Sequence, residues 1–169
     1  PSIRSESQVL ITKVIDGDTV DVSINGKKDV IRLIGINAPE TGECFGREST
    51  DAARKILNSK SVVLEADSSQ DDRDKYNRLL RYIFLSDGSN FGELMIKDGF
   101  AKEYTYKTSY KYQSLYKQAQ QQAKNNKSGL WADGACSSSS VKAEATFEPQ
   151  ASSSNQTFSC DCSKLCSQI

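Results

Sequence analysis

Val20, Val22 and Ile24 alternate with Thr19, Asp21 and Ser23. A period of two over this length predicts a strand with one buried face. Asn25-Gly26 follows, a pair suited to the positive φ angles of a two-residue hairpin turn. A second apolar run covers residues 30–36, and another covers residues 9–15. The three runs predict a meander. The period then lengthens. Ala52, Ala53, Ile56 and Leu57 recur at helical spacing and predict a helix over about residues 47–58. Residues 61–65 and 79–85 return to strand-like patterns, and Ser86-Asp87-Gly88-Ser89 turns the chain. Asn90, with Glu93 three positions later, predicts the start of a short helix ending at Gly99. Tyr112, Leu115, Tyr116, Ala119 and Ala123 make an apolar stripe on a last helix, residues 111–124. Three strands, a helix, two strands and two helices predict an α+β fold: a five-stranded OB-type β-barrel with three helices.

The pattern stops after Cys136. Four serines, residues 137–140, open a segment rich in Ala, Ser, Asn and Gln that runs to residue 159. Such a composition predicts a flexible linker. The remaining Cys160-Asp161-Cys162-Ser163-Lys164-Leu165-Cys166 is too short to fold alone. One domain is therefore expected over residues 7–136, with a Ser-rich linker and a Cys-containing, disordered tail over residues 137–169. The chain of 169 residues suits a single domain with a real core. No run of 18 apolar residues occurs, so no membrane-inserted helix is expected. The opening Pro1 and polar residues fit a processed or trimmed chain without a signal peptide.

The formal net charge is zero, which argues against a protein that coats nucleic acid non-specifically and leaves room for a local basic cluster. The sequence contains no histidine, which excludes Ser-His-Asp triads, His-ligated zinc and imidazole acid–base catalysis. Chemistry here must use carboxylates, Arg, Lys, Tyr, Cys or a hard metal ion. Five cysteines are present, an odd number, so at least one thiol stays free or pairs outside the chain. Cys44 follows a turn rich in candidate residues, and Cys136 lies just past Trp131. A bridge between them would tie the end of the domain to the barrel and place the protein in an oxidising, extracytoplasmic setting.

Four places could carry chemistry. Asp16-Gly17-Asp18-Thr19 reads as a turn or as a site for a hard cation. Arg32, inside an apolar strand, either reaches solvent along its stem or faces a site that holds anions. Glu40, in Asn37-Ala38-Pro39-Glu40-Thr41, is a solvated carboxylate, a base or a metal ligand. The mixed-charge stretch over residues 71–78 is a surface loop or a phosphate clamp in which Arg78 makes paired hydrogen bonds. Beyond these, Tyr104, Tyr106, Tyr110 and Tyr112, interleaved with Lys102, Lys107 and Lys111, suit either base stacking or packing of the last helix.

Taken in order, Gly17-Asp18-Thr19-Val20, Ile31-Arg32-Leu33-Ile34-Gly35-Ile36-Asn37-Ala38-Pro39-Glu40-Thr41, Asp74-Lys75-Tyr76-Asn77-Arg78-Leu79-Leu80-Arg81-Tyr82 and Gly129-Leu130-Trp131 resemble the thermonuclease family, of the staphylococcal or micrococcal type. The resemblance covers about residues 9–131. It implies an OB-type barrel with three helices, agreeing with the strand and helix order read from periodicity. It also implies a calcium-dependent nuclease that cleaves DNA and RNA and leaves 3′-phosphates. By position, Asp18, Asn37 and the carbonyl of Ala38 would hold Ca2+. Glu40 would act as base toward water, and Arg32 and Arg78 would grip the phosphate. Lys75, Tyr76, Tyr104 and Tyr106 would contact the nucleotide. Asn37 departs from the family pattern, standing where many members have a second aspartate. The tail resembles the opening of an excalibur calcium-binding domain without its acidic end. A monomer acting on DNA and RNA is expected. The alternative is a catalytically inactive OB-fold module that only binds nucleic acid.

Overall fold

In the computed structural model, which describes residues 8–136, the apolar runs become the walls of a barrel. Strand β1 (Gln8–Val14) pairs antiparallel with β2 (Thr19–Ile24), and β2 pairs antiparallel with β3 (Lys27–Leu33). Asn25 and Gly26 both take positive φ, 50° and 78°, as the hairpin turn between β2 and β3 requires. The expected meander is present. Helix α1 (Gly46–Leu57) then leads to β5 (Ser61–Glu65) and β6 (Leu79–Phe84). Strand β6 pairs antiparallel with β5 and parallel with β3, and β5 pairs with β1. The five strands close in the order β1-β2-β3-β6-β5. Val20, Val22, Ile31 and Ile83 are fully buried inside, as their alternation predicts.

The third apolar run does not continue as one strand. Gly35 takes φ 80°, and a Cβ there would lie 2.4 Å from the Tyr110 ring. Strand β3 therefore stops at Leu33. The chain resumes as β4 (Ile36–Asn37), which pairs with β7 (Lys102–Glu103) in a separate two-stranded sheet. Two-residue strands carry no periodic signal, so sequence patterning could not separate them from the run before.

The short helix α2 (Phe91–Lys97) begins where Asn90 predicts: its Oδ1 accepts from the Glu93 N–H at 3.2 Å. Tyr116, on α3 (Gln113–Asn125), donates its hydroxyl to the same oxygen at 2.8 Å and ties the two helices together. Helix α3 starts two residues later than periodicity suggests because Tyr112 sits at its cap. The Tyr112 ring packs edge-on against Tyr82 at 4.6 Å. A 3-10 turn, Gly129–Trp131, follows. No described helix is long and apolar enough to cross a membrane. The linker, the tail and the excalibur-like segment expected over residues 137–169 lie outside the described residues.

Candidate active site

The end of β3 and the turn into β2 meet at Asp18. Its backbone carbonyl accepts from the Leu33 N–H at 2.9 Å, so the turn is pinned to the strand that carries Arg32. Asp18 Oδ2 accepts from the Ala38 N–H at 2.7 Å and lies 3.1 Å from Arg32 Nη2. Asp18 Oδ1 accepts from the Thr19 hydroxyl at 3.0 Å. Burial pushes the Asp18 carboxyl up to about 6, against the pull of the Arg32 guanidinium and the Ala38 amide. Asp18 is thus nearly enclosed.

Arg32 projects from β3 on the side away from the barrel core. Nη1 donates to the carbonyls of Leu33 at 2.7 Å and Ile36 at 2.9 Å. Nη2 spans Asp18 and the Asn37 side-chain oxygen, the latter at 3.3 Å. The break at Gly35 is what folds Ile36 and Asn37 back toward this guanidinium. Rather than running out to solvent, the Arg32 guanidinium turns toward the Asp18 carboxylate and the Asn37 side chain, beside the Ala38 amide that binds the same carboxylate.

Arg78 arrives from the loop between β5 and β6. Asp74 accepts from its Nε and Nη2, each at 2.7 Å, and from its backbone N–H at 2.9 Å. Burial of the Asp74 carboxylate raises its pKa, but these bonds outweigh that and hold it below the usual range. Arg78 Nη1 reaches the Thr19 hydroxyl at 3.5 Å. Thr19 is also the register partner of Arg32. The two guanidiniums are thus linked through Asp18 and Thr19: Arg32 contacts the Asp18 carboxylate, which accepts from the Thr19 hydroxyl that Arg78 reaches. Thr19 and Asp74 were not singled out by sequence reasoning, although both lie inside the quoted motifs. Asp74 stands four residues before Arg78, and that spacing was the available signal.

Glu40 sits in the same turn as Ala38, exposed to solvent. Among the described residues its carboxylate makes no hydrogen bond or ion pair. Its backbone is fixed instead: the N–H donates to Glu43 Oε2 at 3.0 Å, and the carbonyl accepts from the Glu43 N–H at 2.9 Å. Gly46 packs directly on that carbonyl, where a Cβ would come within 2.0 Å. The start of α1 therefore braces the Glu40 turn, and only glycine allows the contact. Beyond Gly46's neighbours, Cys44 is bonded to Cys136, with Cα atoms 5.6 Å apart.

The aromatic candidates divide. Tyr110 and Tyr112 pack inside, whereas Tyr104 and Tyr106 are exposed, with ring centroids 6.3 Å apart. Tyr76 is also exposed, with the Lys75 ammonium 4.9 Å from its ring centroid. The Tyr76 phenol, and beyond it that of Tyr106, holds Lys75 above its usual pKa.

The donors around Asp18 are one carboxylate, the Asn37 amide oxygen and backbone carbonyls, all hard oxygens of the kind a calcium ion takes. Among the described residues no group of three or more His, Cys, Asp or Glu converges to hold a metal. The set fits a hard cation in kind and is sparse in charge, so water and a substrate phosphate would have to complete the shell.

A closed OB-type barrel, with cationic and anionic side chains gathered outside the end of β3, defines the structural class. The family model described as "Staphylococcal nuclease homologue" matches residues 30–133. A thermonuclease of Staphylococcus hyicus is 35% identical over 138 residues, covering 78% of this chain and 80% of that protein. Endonuclease YncB of Bacillus subtilis is 36% identical over 130 residues, covering 73% of this chain and 61% of that protein. An uncharacterized endonuclease of Escherichia coli is 33% identical over 133 residues, covering 79% and 82%. This chain belongs to the staphylococcal nuclease homologue family.

Proposed function

We propose that this protein is a calcium-dependent nuclease that hydrolyses phosphodiester bonds of DNA and RNA, leaving 3′-phosphates. The observation that carries the reading is the contact of Arg32 with the Asp18 carboxylate and of Arg78 with Thr19, the residue whose hydroxyl donates to that carboxylate. Such an arrangement suits a phosphate, whose oxygens match the planar donor fork of a guanidinium.

In this reading the phosphate lies between the two guanidiniums. Their positive charge stabilises the extra negative charge on the phosphoryl oxygens as water attacks phosphorus, an effect of roughly 2.7–4 kcal/mol for each well-placed donor. Glu40 is solvent-facing and free of partners, which leaves it able to orient that water and take its proton. General-base help of this kind is worth about 10²–10⁴ in rate. The bond from phosphorus to the 5′ oxygen breaks, and the 5′ oxygen takes a proton from water or a guanidinium, since the chain has no histidine. Asp18, Asn37 Oδ1 and the Ala38 carbonyl would hold calcium, which supplies Lewis-acid polarisation of the phosphate when bound. Lys75, Tyr76, Tyr104 and Tyr106 would contact the sugar and base. The Cys44–Cys136 bridge supports an extracytoplasmic setting.

The test is plasmid cleavage by the parent and by Glu40→Gln, with calcium and then with excess chelator. The parent should cut only with calcium, and the folded variant should lose at least a hundredfold in rate. Cleavage by Glu40→Gln within threefold of the parent would remove Glu40 from its role. No cleavage by the parent, with oligonucleotide binding intact, would favour the inactive binding module.

A further inference from the structure

Thr19 and Arg32 form the first rung of a column on the outer face of the β2–β3 ribbon. Strand register places Asp21 opposite Val30 on the next outward rung, and Ser23 opposite Lys28 on the one after. Alternate residues on a strand stand about 7 Å apart, so these rungs leave the phosphate-facing end in steps of about one nucleotide. A cavity of about 320 Å³ lies over this column, with Asp21, Val30 and Lys28 on the strand side and Tyr76, Asn77 and Arg78 on the loop side.

The walls of this cavity are clamped together. Arg73 binds both carboxylate oxygens of Asp29 on β3, at 3.0 and 2.7 Å, and donates to the Asn77 carbonyl at 2.7 Å. Asp74 holds the same loop through the N–H groups of Tyr76 and Arg78. Asp29 is thus fully used, whereas among the described residues the Asp21 carboxylate and the Lys28 ammonium have no hydrogen-bond or ion-pair partner. A free carboxylate in a groove meant for a polyanion costs affinity unless it has a donor to accept from.

We propose that this cavity is a subsite for the nucleobase next to the scissile phosphate, and that it selects cytosine and adenine over thymine and uracil. The proposal rests on the phosphate-binding reading above and adds what flanks it. The base enters with one face toward the Tyr76 ring and its edge toward the rung formed by Val30 and Asp21. Asp21 accepts from the amino group of cytosine or adenine, which thymine and uracil replace with a carbonyl oxygen that repels it. Lys28, one rung further out, meets the next phosphate. The Tyr104–Tyr106 pair lies on a different segment, after β7, and is not part of this cavity.

The experiment uses fluorescein-labelled thymidylate nonamers carrying one cytosine or one adenine at each position in turn. Cleavage sites and rates are read on sequencing gels with calcium, for the parent, Asp21→Leu and Asp21→Asn. In the parent, an amino-bearing base at one fixed position beside the cut should raise cleavage at that bond about five- to tenfold over thymine. Asp21→Leu should bring the ratio near one, and Asp21→Asn, which keeps an oxygen acceptor, should retain part of it. Val30→Trp, which fills the cavity, should raise KM for every nonamer and flatten the preference without touching the carboxylate. Equal stimulation of all nonamers by both Asp21 variants would mean that Asp21 acts only as a repelling charge, and would overturn the proposal. So would a preference that survives Asp21→Leu and Val30→Trp. If no nonamer is cut by the parent at all, it is the nuclease reading itself that fails.

Discussion

Replacing Cys44 and Cys136 by serine removes a covalent link across 92 residues of sequence. In the chain-entropy account, a bridge closing a loop of that length disfavours the unfolded state by about 4–5 kcal/mol. Native bridges commonly deliver somewhat less, so a loss of about 2–5 kcal/mol is expected. The specific unfolding entropy of a domain of this size, near 0.27 kcal/mol/K, converts that into a fall in thermal midpoint of roughly 7–18 °C. The bridge has a local effect as well. Cys44 adjoins Glu43, whose carboxylate and N–H hold the backbone of Glu40. The untethered variant should therefore also lose cleavage rate at temperatures where it is still folded. The assay is guanidinium unfolding of the parent and of Cys44→Ser/Cys136→Ser, followed by fluorescence, with thiol counting under denaturing conditions. A parent with both thiols titratable would refute the bridge itself. A bridged parent whose variant loses less than about 1 kcal/mol would refute the entropic reasoning.

Asp74→Asn exchanges the oxygen gripped by Arg78 for one that carries no charge and an amine that repels it; kcat/KM should fall roughly ten- to a hundredfold through misplacement of the guanidinium, and steady-state kinetics within twofold of the parent would show that Asp74 does not position it. Asp67 titrates in a more acidic range than a free carboxylate: burial raises its pKa, but the Lys111 N–H, the Tyr82 hydroxyl and Ser69 outweigh that and hold it at about 2. Because the folded value lies below the unfolded one, its contribution is fully present above about pH 4 and is lost as pH falls toward 2. Partial exposure leaves about 1–2 kcal/mol, so urea melts of parent and Asp67→Asn should differ by that amount at pH 6 and converge near pH 2. Asn37→Asp adds a charge beside Asp18, and calorimetric calcium titration at fixed salt should show dissociation constants lowered about tenfold or more, a change of at least 1.4 kcal/mol; equal affinities would mean that residue 37 does not touch the ion.

The barrel was largely legible without coordinates. Alternation at Val20, Val22 and Ile24, the Asn25-Gly26 turn and the stripe at Tyr116, Ala119 and Ala123 are local signals, because the chain within one element must present its apolar groups to one side. Local chemistry likewise marked Asp18, Arg32, Glu40 and Arg78 as residues worth placing. What sequence could not decide was which of them meet. The parallel pairing of β3 with β6 joins residues 31–33 to residues 79–81, and no periodicity encodes a partner that far along the chain. The end of β3 at Gly35 depends on Tyr110, a residue from another part of the fold, filling the space a side chain would need. The partners of Arg32 followed from that break, since only the turned-back strand β4 brings the Ile36 carbonyl and Asn37 within reach. Asp21 read from sequence as an ordinary polar face of a strand. It lines a groove only because the loop over residues 73–78 lies alongside it, and a groove between two segments is carried by neither alone.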